Sequence, residues 1–242
     1  MALPKLQTPT YELVLPSTNE KIKFRPFLVK EQKILLMAQE SGQDEDIANA
    51  ISSLVESCTF GKIDASKSPL FDIEYVFLQV RAKSVGETSE IMVTCPDDNK
   101  TKVPVKINLQ DINIQMTANH TNEVKLSDSI KLVFRYPLLS DMKNVMMGGN
   151  NIDMVFAILN KCIHEIHHGE KIFNKVDISD KEMTEFVESM TAGQLQEVIE
   201  FFDTMPKLRH IIKITNPNTK VKGEVVLEGL ASFLGSVSFT RP

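Results

Sequence analysis

The sequence has no tryptophan and only three cysteines among its 242 residues. Cys58, Cys95 and Cys162 are scattered along the chain, without the paired spacing of a disulfide framework or a cysteine-based metal site. Reduced thiols are the expectation for such a set, as in a cytosol-like compartment.

Long hydrophobic runs and basic clusters are missing as well. No apolar run approaches the roughly 20 residues that span a bilayer, and the opening MALPKLQTPT lacks the basic and then apolar layout of a signal peptide. The net charge is −5, and lysines and arginines are not grouped. We therefore expect neither a membrane nor a nucleic acid as partner.

What remains is an ordinary globular composition, with 42% hydrophobic and 24% charged residues. The patterns predict an α+β protein: a mostly helical body with an N-terminal β-hairpin, a central antiparallel β-rich subdomain and a C-terminal β-ribbon. We place these parts at residues 1–84, 85–137 and 138–242, with the first and last forming one domain. No internal repeat is visible.

The N-terminal hairpin is the most informative stretch. Apolar residues alternate on both sides of a turn at Pro16, and a helical pattern begins after Phe27 and runs to Ser41. A two-stranded ribbon cannot bury both faces alone, so it is either the first hairpin of the core or an edge that contacts a partner. The candidate contact residues are Tyr11, Leu13, Leu15, Ile22, Phe24, Arg25 and Phe27.

Later segments carry clear local signals. Turn residues after Cys95 predict a hairpin tip, and Pro104 places its strand at an edge or a bulge. Capping boxes at Ser179 and Thr191 predict two consecutive helices. Further expected elements are helices up to Cys58, after Pro69, over Leu138–Met147 and at the C-terminus, and a ribbon over Ile211–Leu227.

One motif suggests catalysis. His164-Glu165-Ile166-His167-His168 matches H-E-x-x-H on a predicted helix that ends at Gly169. His164 and His168 would bind zinc, Glu165 would act as general base, and Glu188 could be a third ligand.

The arguments against a zinc site prevail at the level of sequence. The apolar stripe of the predicted helix is centred away from both histidines, so they should face water. The motif also lies in the last helical turn, where histidines complement the helix dipole. We expect no catalytic residue, no metal and no cofactor, with a zinc-dependent hydrolase as the alternative.

Several blocks resemble a known family, the baseplate hub assembly proteins of T-even-type (T4-like) contractile-tailed phages. These proteins share a Leu-Pro-x-Leu opening, a hairpin closed by Pro-Ser-Thr, and an Arg-Pro-Phe-Leu-Val-Lys-Glu sequence at the start of a helix. The matching segments of this chain are Leu3–Leu6, Pro16–Thr18, Arg25–Glu31, Phe77–Glu87, Cys162-Ile163, the helix pair FVESM…QLQEVIEFFDTMPKL, Gly229-Leu230 and Phe233.

The resemblance implies a non-enzymatic role in tail assembly, through contacts with other hub or tail proteins. Members of this family act on the baseplate hub, either as assembly chaperones or as hub subunits, and both alternatives stay open. The implied location is the host cytoplasm during assembly, and the virion baseplate if the protein remains there. Association with further copies of the chain is compatible with such a role.

Overall fold

The computed structural model describes residues 6–141 and 151–234. Most of the predicted helix Leu138–Met147 and the segment Leu3-Pro4-Lys5 lie outside these residues. Helices α1 to α7 cover Val29–Ser41, Asp44–Cys58, Leu70–Val85, Asn151–Cys162, Asp180–Glu188, Ala192–Thr204 and Gly229–Leu234. Strands β1 to β11 cover Tyr11–Val14, Lys21–Phe24, Thr88–Thr94, Lys102–Asn108, Asn113–Gln115, Glu123–Lys125, Ile130–Phe134, Ile163–His168, Lys171–Asn174, Lys207–Thr215 and Lys222–Glu228.

The predicted α+β class is confirmed. The strands form small sheets, ordered β1-β2, β3-β4, β11-β10-β5 and β6-β7-β8-β9, and the pairs between neighbours are antiparallel. Within the described ranges, no helix has the length and apolar character needed to cross a bilayer.

The chain divides into two compact units. Unit 1 consists of residues 1–115 and 207–242, and unit 2 of residues 116–206. This grouping differs from the boundaries at 85 and 137, because β3, β4 and β5 belong to the same unit as the N-terminal helices. The division into 1–84, 85–137 and 138–242 stays a prediction.

Helix α3 forms the centre of unit 1. It carries apolar side chains on all sides, as expected of a helix that is covered all round, and Ile73, Phe77 and Leu78 are almost fully buried. Its N-terminal Asp72 accepts hydrogen bonds from the backbone N–H and the hydroxyl of Ser17 in the β1–β2 turn. Near its other end, the Ser84 hydroxyl accepts from the Phe27 N–H at 2.9 Å. The helix therefore anchors both ends of the hairpin.

The core of unit 2 is aromatic. The rings of Phe134 and Phe201 stack with 4.7 Å between their centroids, and Phe202 meets both rings edge-on. The two capping boxes that the sequence predicts are present, with Ser179 and Thr191 each accepting from the N–H three residues later. They define the starts of α5 and α6, which supply Met183, Val187, Val198 and Phe201 to this core.

The prediction of a helix that continues to Gly169 is wrong. Helix α4 ends at Cys162, and the next six residues form strand β8, paired with β7 on one side and β9 on the other. Tertiary pairing overrides the helical periodicity here, because Ile163 and Ile166 become buried between the sheet and its covering helices.

Candidate interaction surfaces

The hairpin proposed as a partner contact buries one face inside the chain. In the register of β1 and β2, Leu13 lies opposite Ile22 and Tyr11 opposite Phe24. Of the seven candidate side chains, Tyr11 and Arg25 are partly exposed, and the rest are buried: Leu13, Leu15, Ile22, Phe24 and Phe27. A contact role for these seven residues stays a prediction, and their burial shows that most of them already serve the core of unit 1.

Arg25 is the polar centre of this region. Its guanidinium donates to Glu31 Oε1 at 3.0 Å and to the Pro26 carbonyl at 3.0 Å. Glu31 also accepts from the Leu28 N–H at 2.7 Å, which caps α1. Burial alone would raise the pKa of Glu31, but the hydrogen bonds from Arg25 and Leu28 lower it below its ordinary value. We call this arrangement the first arginine clamp.

The clamp also closes the helix pair α1–α2. The Arg25 N–H donates to the carbonyl of Cys58, the last residue of α2, at 2.9 Å, and the Arg25 guanidinium lies 3.8 Å from the Cys58 Sγ. Burial raises the pKa of this thiol to about 11. Cys58 is therefore a protonated core side chain at neutral pH.

A second arginine clamp repeats this arrangement in unit 2. Arg135 donates to Asp141 at 2.7 and 3.1 Å and to the Tyr136 carbonyl at 3.0 Å. Asp141 accepts from the Leu138 N–H at 2.8 Å, and the Arg135 N–H donates to the Cys162 carbonyl at 2.8 Å. Cys162 is buried like Cys58, and burial raises its pKa to about 12.

The two hairpins that precede the arginine clamps also share a turn hydrogen bond and a cross-strand ion pair. The turn of each hairpin is closed by a backbone bond, Leu15 N–H to the Glu20 carbonyl in the first and Leu126 N–H to the Ile130 carbonyl in the second. An ion pair joins the two strands of each hairpin: Lys21 with Glu12 at 2.5 Å, and Lys131 with Glu123 at 3.0 Å.

We define the first module as residues 11–58 and the second module as residues 122–162. Each begins with a hairpin, continues through an arginine clamp, and ends at a buried cysteine that closes the clamp. The two modules therefore share one arrangement, although no internal repeat is visible in the sequence. Sequence identity between the modules is limited to a few positions around Phe-Arg…Leu, at 24–28 and 134–138. The only sequence signal of this shared arrangement is a Phe-Arg pair that is followed in both modules by a Leu and then by an acidic residue.

The H-E-x-x-H segment has the wrong geometry for a zinc site. His164 and His168 lie on β8, where four residues span about 13 Å, too far for two imidazoles to share one metal ion. Glu165 instead lies 2.6 Å from the His167 Nε2, and a hydrogen bond from this imidazole lowers the pKa of Glu165. Glu188 is exposed at the end of α5. Among the described residues, no three His, Cys, Asp or Glu side chains are grouped as metal ligands.

The tips of two hairpins are joined in unit 1. The turn after Cys95 is the hairpin tip that the sequence predicts, between β3 and β4. The Asn216 amide, at the tip of the β10–β11 ribbon, donates to Asp97 at 3.0 Å and to Asp98 at 2.9 Å. Hydrogen bonds, chiefly from Thr219 to Asp97 and from Thr101 to Asp98, lower the pKa of both carboxylates. The C-terminal ribbon therefore has its own contacts within the chain, including β5.

The exposed apolar side chains of the described residues include two groups that offer surface to a partner. One is a shallow groove of about 430 Å³ between α1 and α2, lined by Ile34, Met37 and Ala50 among others. The other is β9, in which all four residues are exposed, Ile172 and Phe173 among them. A four-residue edge strand such as β9 has too short an apolar pattern for its exposure to be predicted from sequence.

Comparison with known proteins gives one finding of broad coverage. A family model described as "T4 bacteriophage base plate protein" matches residues 8–235. The match covers both modules, all of unit 2 and most of unit 1. No curated protein and no solved structure matches the chain.

Proposed function

Because this chain belongs to the T4 bacteriophage base plate protein family, we propose that it is a non-enzymatic tail protein that acts in assembly of the baseplate hub. The observation that carries the proposal is the family match over residues 8–235. Family membership implies a place in the virion tail and contacts with other base plate proteins. The finer role, at the hub, rests on the segments at Pro16–Thr18 and Arg25–Glu31.

The physical character of the chain supports a binding role. An assembly protein needs surface that is not used by its own core, and β9 and the α1–α2 groove supply it. The histidine motif, which was the best catalytic candidate in the sequence, lies on a strand with its outer histidines far apart. Within the hub, the protein acts either as an assembly chaperone or as a subunit.

Co-expression with each hub protein of the same phage, followed by affinity capture, tests the proposal. We expect at least one hub protein to be retained in a stoichiometric complex. Capture of base plate proteins from outside the hub, with none from the hub, would contradict the hub assignment and leave family membership intact. Retention of no base plate protein at all would contradict the binding role itself.

Mass spectrometry of purified virions beside infected-cell lysate separates the two finer roles. A chaperone is expected in the lysate and absent from virions, whereas a subunit is expected in both. Copy number relative to a hub protein in the same sample provides the internal control.

A further inference from the structure

We propose that β9 is a docking strand, which accepts an extended segment of another base plate protein as a fifth strand of sheet β6-β7-β8-β9. This inference rests on the proposed function, because it names where and how such a partner binds. The segment would pair with the open edge of Lys171–Asn174, in the mode known as β-strand addition.

Strand β9 has no counterpart after the first module. After the first module ends at Cys58, the chain passes through residues 59–69 into α3 without forming a further strand. After the second module ends at Cys162, the chain continues at once into the β8–β9 hairpin. Strand β8 contributes Ile163 and Ile166 to the core of unit 2, but β9 contributes no buried side chain. The folding of a module therefore does not explain β9.

The backbone of β9 has an open edge. The Gly169 N–H donates to the Ser129 carbonyl at 3.0 Å, toward β7. Because residues of an antiparallel strand alternate in the direction of their hydrogen bonds, His168 and Ile166 bond to β9, at their partners Lys171 and Phe173. The N–H and C=O groups of Ile172 and the N–H of Asn174 therefore point away from the sheet, where an added strand would bond to them. The Asn174 carbonyl lies at the start of the short 3₁₀ helix Lys175–Asp177.

The inner face of the sheet carries a row of apolar side chains that is buried on β6, β7 and β8 and exposed on β9. Direct cross-strand partners align Val124, Leu132, Ile166 and Phe173. Their exposed fractions are 8%, 0%, 8% and 44%, so Phe173 is the uncovered end of a buried row. An apolar residue placed opposite Phe173 would continue this row and remove its exposed area from water.

The charge of Lys171 indicates which kind of side chain the added segment carries next to its apolar residue. Lys171 lies on the same face as Phe173, two residues away, and no ion pair joins it to a carboxylate within the described ranges. A complementary segment would place an acidic side chain opposite Lys171. A second copy of this chain is a less suitable partner than such a segment. If two β9 strands paired antiparallel about Ile172, Lys171 of each copy would lie opposite Phe173 of the other and not opposite an acidic residue.

Amide hydrogen exchange tests the inference on the intact protein. Each purified base plate protein of the same phage is added separately, and the exchange of single amides is followed by NMR. On binding, we expect exchange at Ile172 and Asn174 to slow by at least about tenfold, since these two amides gain hydrogen bonds. The amides of Lys171 and Phe173 are already bonded to β8 and should change less.

A backbone variant gives an independent test. Ile172→Pro removes an N–H that points to solvent, a position where an edge strand tolerates proline, and it should weaken partner binding by about tenfold or more. Ile172→Val keeps the N–H and is the matched control, expected to bind like the original chain. The melting temperature of each variant establishes that β8 and the core are intact, and Phe173→Ser, which leaves the backbone unchanged, should also weaken binding.

The outcomes separate this inference from the proposed function. If a base plate protein binds but leaves exchange at Ile172 and Asn174 unchanged, or binds folded Ile172→Pro as well as Ile172→Val, the docking strand is wrong and the proposed function stands. If no base plate protein binds, the proposed function fails. Protection that depends on the concentration of this chain alone would instead identify a second copy and overturn the assignment to another protein.

Discussion

Replacing Arg25 with methionine should lower the free energy of unfolding by about 3 kcal/mol. Glu31 is 5% exposed, and without the guanidinium it would retain only the Leu28 N–H at 2.7 Å and the largely exposed Lys30 amine at 3.4 Å. Leaving a buried carboxylate without its main partner typically costs about 3 to 5 kcal/mol, and we expect the lower value because these two donors remain.

Urea denaturation of Arg25→Met beside the original chain measures the loss. Lys21→Met is the matched control, since it removes a cation from an exposed ion pair with Glu12, and such pairs contribute little to stability. A loss for Arg25→Met no greater than that of the control would refute the view that the first arginine clamp stabilises unit 1.

The pH dependence gives a further check of the same clamp. The pKa of Glu31 is lowered in the folded chain, so its stabilising contribution is present above the pKa of the unfolded state and is lost as the pH falls through the folded pKa. Arg25→Met should reduce this acid-side loss. An unchanged acid-side profile in the variant would mean that other carboxylates set it.

Three other changes have defined outcomes. Arg135→Met should cost about 2 kcal/mol in urea denaturation, less than Arg25→Met because a third of the Arg135 side chain is exposed; a loss above that of Arg25→Met would contradict this ranking. Asn216→Ala removes the buried amide that joins two hairpin tips and should cost about 2 kcal/mol in thermal denaturation, whereas a loss under about 0.5 kcal/mol would show that the tips hold without it. Burial raises the pKa of Glu74 from 4.5 to about 7, so between these pH values the folded chain keeps a proton that the unfolded chain releases. Stability should therefore fall as the pH rises through that interval. Glu74→Gln should flatten this part of the plot of melting temperature against pH, and an unchanged plot would assign the slope to another group.

Local signals in the sequence predicted most individual elements correctly. The capping boxes at Ser179 and Thr191 define the starts of α5 and α6, and the apolar positions from Leu70 onward identify α3. These signals are reliable because a helix start and a buried helix face depend on residues within a few positions of each other.

Features that depend on distant pairing were not predicted. Residues 163–168 have helical apolar spacing, but they lie between two strands and pair with both. The arginine clamps also escaped detection, because each depends on a cysteine carbonyl 33 or 27 residues further along the chain. Nothing in the local pattern around Arg25 or Arg135 indicates that the last residue of a helix accepts a hydrogen bond from the arginine N–H and so closes the clamp.

The pairing of β5 with β10 has a consequence for how this chain could have changed over time. Gln115 and Lys207 are direct partners, so the two places where the chain passes between unit 1 and unit 2 are about 5 Å apart. Unit 2 is thus a cassette with adjoining ends, which a short turn could replace without shifting the register of sheet β11-β10-β5. A change of length within unit 2 would therefore leave the strand pairing of unit 1 in place, because both ends of the inserted segment stay fixed on neighbouring strands.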